Sequence, residues 1–112
     1  MILSAVRKFL TGVLRHLGFA PRYRAIAIVD MPEKVDSGIL YVIGEAGRYW
    51  QAAFECPCGC GQTIQVPLTQ DAHPRWIMQG AMSHPTLTPS VHRTFGCKSH
   101  FFLRKGQIIW CR

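Results

Sequence analysis

The sequence is poor in acidic residues and has no long hydrophobic run. Six Asp and Glu residues oppose thirteen Lys and Arg residues, which gives a net charge of +7. This charge favours an acidic partner, such as nucleic acid, anionic lipid or an acidic protein. The basic residues are scattered, however, and no block of like charges indicates a dedicated nucleic-acid tail. Because no run reaches about 18 apolar residues, we expect no transmembrane segment.

The N-terminal sequence also lacks the features of a secretion signal. The stretch "MILSAVRKFLTGVLRHLG" has no uninterrupted apolar core and no small-residue cleavage site. We therefore expect a cytoplasmic, reducing compartment, where clustered thiols are metal ligands or catalysts more often than disulfides. With 112 residues, of which 48% are hydrophobic and 17% charged, the chain suits one globular domain.

The first eighteen residues have the hydrophobic period of a helix. Apolar residues recur at steps of three and four, and basic residues occupy the other face. Gly18 suits a helix C-cap, and Pro21 prevents continuation. The pattern predicts an amphipathic helix within residues 1–20, which would cover the domain's own sheet or dock on a partner or membrane.

The rest of the chain, residues 21–112, has the pattern of short strands. "EAG" and "KG" are typical of tight hairpin turns. We therefore predict an α+β fold that is mostly β: the N-terminal helix, then one small, mainly antiparallel sheet with a zinc site at its edge. The predicted strands cover residues 23–30, 38–44, 48–56, 62–68, 74–80, 85–91, 100–104 and 107–112.

Two short segments carry candidate metal ligands. "CPCGCG" places three cysteines on alternate positions at residues 56–61, and "CKSH" places a cysteine and a histidine about forty positions later. Zinc binds thiolate and imidazole in a tetrahedral shell, usually from two such separated segments. Cysteines that merely pack as small hydrophobic residues would not require this alternation beside glycines. The predicted ligands are Cys56, Cys58, Cys60, Cys97 and His100.

Five candidates exceed the four places of a zinc shell. If four cysteines fill the shell, the site is structural and His100 is free for chemistry. If His100 binds, one thiol is spare. The sequence contains neither His-Glu-x-x-His nor the His-x-Glu of zinc deaminases, so a zinc metallohydrolase is the weaker alternative. Cys111 is interpreted as a packed or surface thiol.

A candidate nucleophile lies in "SHPTLTPSVH", residues 83–92. If this segment pairs with "HFFLR" as an antiparallel neighbour, Ser90 and His100 are symmetric about residue 95 and stand opposite each other. Cross-strand Cβ atoms are about 4.5–5.5 Å apart, and a serine beside a neutral imidazole is the minimum for an activated nucleophile. His84 and His92 are alternative bases. The acids that would orient the imidazole are Asp30, Glu55 or Asp71.

The same residues resemble a family of small bacterial and phage proteins catalogued as a domain of unknown function. The resemblance covers about residues 38–110 and departs from many members at "SVHR", where Ile-Gly-Asn is common. The shared features, in order, are "CPCGCG", "VPL", Trp76, Gly80, "PTLTPSV" and "CKSHFFLRKGQIIW".

Some members of that family are encoded beside bacterial ubiquitin-like proteins and their E1- and E2-like enzymes. The resemblance thus implies a zinc-containing peptidase that trims or deconjugates the ubiquitin-like protein, with a role in phage defence. It implies that Ser90 is the nucleophile and His100 the base, and that the zinc shell is Cys56, Cys58, Cys60 and Cys97. The main alternative is a non-catalytic zinc module that binds protein or nucleic acid.

Overall fold

A computed structural model describes residues 21–111, which form two four-stranded β-sheets. All neighbouring strands are antiparallel except β1 and β2, which are parallel. The first sheet contains, in spatial order, β1 (Arg24–Ile28), β2 (Ile39–Glu45), β3 (Arg48–Glu55) and β4 (Thr63–Pro67). The second contains β5 (Ile77–Gln79), β6 (Thr86–His92), β7 (His100–Arg104) and β8 (Gln107–Trp110).

The predicted α+β class is wrong. Residues 21–111 contain strands and no helix, so the fold described is all-β, and it has two sheets where one was expected. The predicted N-terminal helix, residues 1–20, lies outside the described residues. Every predicted strand is present, but sheet membership depends on packing between distant strands, which a local hydrophobic pattern does not encode. No helix able to cross a membrane occurs between residues 21 and 111.

Both predicted tight hairpins are confirmed. Ala46 and Gly47 connect β2 to β3 with φ angles of 53° and 77°, and Lys105 and Gly106 connect β7 to β8 with 50° and 76°. Positive φ at both central residues is the type I′ pattern, whose twist matches that of the flanking strands. The β7–β8 turn fixes the register of the strand that carries His100.

The sheets pack face to face around an aromatic centre. Phe54 on β3 is fully buried and meets Tyr23 and Phe101 edge to face, with ring centroids 5.7 and 6.1 Å away. Because Phe101 lies next to His100 on β7, this contact positions the second sheet over the end of β3. The other buried residues of this core are Ala25, Leu40, Val42, Ala52, Cys56, Ile64, Val66, Leu87, Val91 and Leu103.

Backbone hydrogen bonds also join the sheets along both margins. The N–H of Ala25 on β1 donates to the carbonyl of Met82, which precedes β6, over 2.6 Å. At the other margin, the N–H of Trp76 donates to the carbonyl of Pro67 at the end of β4, over 2.9 Å. Paired backbone groups at these crossings avoid the cost of burying them unsatisfied.

Candidate active site and metal centre

The first cysteine segment is a tight loop between β3 and β4. Cys56 directly follows β3 and is fully buried; its N–H donates to the carbonyl of Gln62 over 2.9 Å. The N–H of Gly59 donates to the carbonyl of Cys56 over 3.3 Å. Gly59 and Gly61 have φ angles of 93° and 82°, a region that side chains disfavour. The glycines therefore allow the loop to turn its cysteines to one side.

Four cysteines converge at this loop. The Sγ atoms of Cys56, Cys58, Cys60 and Cys97 all lie within 4.8 Å of one another. The Sγ of Cys56 is 3.4 Å from that of Cys58 and 3.7 Å from that of Cys97. Zn–S bonds of about 2.3 Å in a tetrahedral shell place sulfurs about 3.8 Å apart. These residues are thus close enough to hold one metal ion, and the spacing fits zinc.

The electrostatics of the four thiols differ. Burial raises the pKa of Cys56 to about 12, and burial also raises the pKa of Cys60. Burial opposes ionisation of Cys97 too, but hydrogen bonds from Ser99, and from the thiols of Cys58 and Cys56, together lower its pKa to about 6. A metal ion would therefore displace protons from Cys56, which is buried, and from Cys60, which is exposed by its surface area but still loses part of its hydration.

His100 lies against Ser90 rather than among the sulfurs. Its Nε2 is 3.0 Å from the Oγ of Ser90, and both side chains are half-buried. The four-cysteine group forms without the histidine. The arrangement thus matches a metal shell of four cysteines, which leaves His100 available to another partner.

The strand register behind this contact differs from the expectation. His92 pairs with His100, and Val91 pairs with Phe101, so Ser90 does not stand opposite His100. The register shifts between Leu87 and Val91, which displaces the pairing from the predicted symmetry about residue 95. Ser90 and His92 lie on the same face of β6, two residues apart, so the serine reaches His100 diagonally.

His92 contacts the other side of the same imidazole. The rings of His92 and His100 stack with centroids 4.4 Å apart and planes at 20°. No carboxylate between residues 21 and 111 is hydrogen-bonded to His100, so Asp30, Glu55 and Asp71 do not orient it there. The sequence marked His92 only as an alternative base; its stacking role follows from the register and had no local signal.

Arg93 lies between the β6–β7 loop and the cysteine cluster. Its N–H donates to the carbonyl of Ser99 over 2.8 Å, which closes the loop between β6 and β7. Its guanidinium lies 4.0 Å from the Sγ of Cys60. Cys97 lies within the same loop, so the cluster holds the segment that joins the strands of Ser90 and His100.

Two sequence candidates lie apart from this arrangement. The Nδ1 of His84 is 2.9 Å from the Oγ of Ser83, and both residues are exposed in the turn before β6. Cys111 lies outside the group of four sulfurs and follows β8.

A known protein family covers all of these residues. Residues 27–111 match the model of the bacterial ubiquitination-like system serine protease family, BubE. The chain belongs to the BubE family. This confirms the resemblance seen in the sequence, and it means that the chain is related to serine proteases of a bacterial ubiquitination-like system. No curated protein and no solved structure matches the chain.

Proposed function

We propose that this BubE protein is a zinc-stabilised serine peptidase that processes or deconjugates a bacterial ubiquitin-like protein. The observation that carries the proposal is the 3.0 Å contact between Ser90 Oγ and His100 Nε2. A serine within hydrogen-bond distance of an imidazole is the basic unit of an activated hydroxyl nucleophile. The family description supplies the reaction class and the pathway.

The chemistry assigned to the pair is acyl transfer. Ser90 Oγ attacks the carbonyl carbon of the scissile bond while His100 Nε2 accepts the hydroxyl proton. His100 then donates that proton to the departing amine, and an ester links Ser90 to the acyl part of the substrate. Water, deprotonated by His100, releases the acid. His92 holds the imidazole plane by stacking, so the histidine is oriented without a carboxylate from the described residues.

The four cysteines are assigned to a structural zinc ion. A shell of four thiolates leaves no position for water, so its role is to hold the loops. Cys56 anchors this shell to the end of β3, and Cys97 anchors it to the β6–β7 loop. Zinc bound there would crosslink the two sheets beside the serine–histidine pair.

The cellular setting follows from these assignments. Thiols that bind a metal must stay reduced, which supports a cytoplasmic location. The partners are then the ubiquitin-like protein and its E1- and E2-like enzymes. A role in phage defence stays a prediction from the family resemblance.

The direct test is cleavage of a ubiquitin-like precursor by purified variants. Ser90→Ala removes the nucleophile, and Ser83→Ala is the matched control because Ser83 is exposed and contacts His84 instead. We expect cleavage by the wild type and the control but not by Ser90→Ala. Cleavage at the wild-type rate by folded Ser90→Ala would refute the serine mechanism. If no form cleaves but binding weakens steeply with salt, the non-catalytic module is favoured.

A further inference from the structure

Strand β6 extends beyond its neighbour on one side. β5 pairs with β6 over only three residues: Gln79 pairs with Thr86, Met78 with Leu87 and Ile77 with Thr88. The chain before β5 leaves the sheet, because the N–H of Trp76 donates to the carbonyl of Pro67 on the other sheet. Among residues 21–111, the part of β6 after Thr88 therefore has a paired neighbour only on the β7 side.

Two backbone hydrogen bonds show which way the N–H and C=O groups point at the end of β6 and the start of β7. The N–H of Arg93 donates to Ser99 on the β7 side, while the carbonyl of His100 accepts from Cys111 on the β8 side. In an antiparallel pair, hydrogen-bonded and non-hydrogen-bonded residue pairs alternate. His92 and His100 are thus a non-hydrogen-bonded pair, and the N–H and C=O of His92 point away from β7.

The open edge and the nucleophile therefore lie on the same three residues. The side chain of Ser90 contacts His100 on one face of the sheet, and two residues later the backbone of His92 faces the unfilled edge. An unpaired strand edge is a ready template for another extended chain. A peptide is the molecule whose backbone matches such an edge, and peptidases must hold their substrates extended.

We propose that the C-terminal tail of the ubiquitin-like substrate binds as an added strand along this edge, antiparallel to β6 and in line with β5. This rests on the proposed function. In that direction the tail pairs first with His92, and its final carbonyl arrives beside Ser90. Beyond that carbonyl, the path of the added strand is already occupied by the start of β5, at Trp76 and Ile77. Ile77 is 42% exposed. The group after the scissile bond must therefore turn out of the sheet.

The antiparallel direction follows from the position of the strand that the tail would continue. β5 itself runs antiparallel to β6, and it starts where the open edge ends. A parallel tail would bring its N-terminal residues to Ser90 and carry its C-terminus beyond His92, away from the nucleophile. Only the antiparallel tail places its C-terminus at Ser90 while the preceding residues make backbone hydrogen bonds.

Backbone methylation of the substrate tests this binding mode without altering the protein. The probe is a peptide of the last eight residues of the system's ubiquitin-like protein, joined through its C-terminal carboxyl to aminomethylcoumarin. Each peptide carries one N-methyl group. We expect kcat/KM to fall about tenfold at the position opposite His92, because its N–H loses its hydrogen bond to β6. The positions on either side, whose N–H points away from β6, are the control; loss at every position or at none would overturn the proposal.

Hydrogen exchange separates failure of this proposal from failure of the proposed function. In Ser90→Ala, saturating peptide should slow exchange of the His92 amide at least about tenfold. The Arg93 amide is the control, because it is already bonded to Ser99. If the wild type cleaves nothing, the proposed function fails, and this measurement still decides the binding mode. The proposed binding mode would be overturned if the peptide left exchange of the His92 amide unchanged. It would also be overturned if a second copy or another segment already protected that amide in the free protein.

Discussion

The Sγ atoms of Cys56 and Cys97 lie 3.7 Å apart although the residues are 41 positions apart in the chain. One follows the buried end of β3, and the other lies in the loop between the strands of Ser90 and His100. A metal ion at this point would join the hydrophobic core to the loop between β6 and β7. The relation explains how a site on two strands could be held without a carboxylate partner for the histidine.

Removal of one sulfur should therefore disturb both stability and activity. We expect Cys97→Ala to lose the metal, to lower the free energy of unfolding by several kcal/mol out of the roughly 10 kcal/mol a structural zinc contributes, and to abolish cleavage. The measurements are metal content, thermal unfolding and cleavage rate. Cys111→Ala is the matched control, since Cys111 lies outside the four-sulfur group. A metal-free Cys97→Ala with wild-type stability would contradict the structural role.

Metal affinity should rise with pH. Burial raises the pKa of Cys56 to about 12 and also raises that of Cys60, so both are protonated thiols near neutral pH in the metal-free protein. Burial opposes ionisation of Cys97, but hydrogen bonds from Ser99, Cys58 and Cys56 lower its pKa to about 6, so Cys97 is already a thiolate there. Zinc binding must then release at least the protons of the first two residues.

Titration calorimetry in buffers with different ionisation enthalpies measures that proton release. Release of at least two protons corresponds to an apparent affinity that increases at least about 100-fold per pH unit near neutrality. Release should persist below pH 7 and gain one further proton, that of Cys97, as the pH falls below the pKa of about 6 of this thiol. An affinity independent of pH between 6 and 8 would show that the thiols are not the ligands.

The stack between His92 and His100 should influence turnover more than substrate affinity. We expect His92→Ala to lower kcat by about 2- to 10-fold with little change in KM, because an aromatic contact is worth about 0.5–1.5 kcal/mol and here orients the base. His92→Phe keeps a stacking ring and should restore most of kcat. Equal losses in the two variants would instead indicate that the imidazole nitrogens of His92 take part in the chemistry.

The sequence predicted local features well and long-range ones poorly. The positions of the strands and both tight turns followed from hydrophobic runs, "EAG" and "KG", because such signals act between neighbouring residues. The partition into two sheets and the parallel pairing of β1 with β2 depend on contacts between distant segments and were missed. The cysteine spacing indicated a metal site but left five candidate ligands; the structure brings four of them, the cysteines, together.

The serine–histidine contact was anticipated from a register that the structure corrects. Symmetry about residue 95 predicted Ser90 opposite His100, but the irregularity between Leu87 and Val91 shifts the pairing to His92. The two side chains still meet because both lie on the outer face of the sheet. The stacking of His92 and the position of Arg93 beside Cys60 depend on that shift, so no local pattern could have indicated them.

The most direct measurement of the central claim is covalent labelling of Ser90 with a fluorophosphonate, which reacts with activated serine hydroxyls. Peptide mass analysis should find the label on Ser90 in the wild type and not on exposed Ser83. The labelling rate should fall about 100-fold or more in folded His100→Gln, because the base that accepts the Oγ proton is lost. Cleavage-competent protein whose Ser90 stays unlabelled, or labels equally fast without His100, would contradict the account.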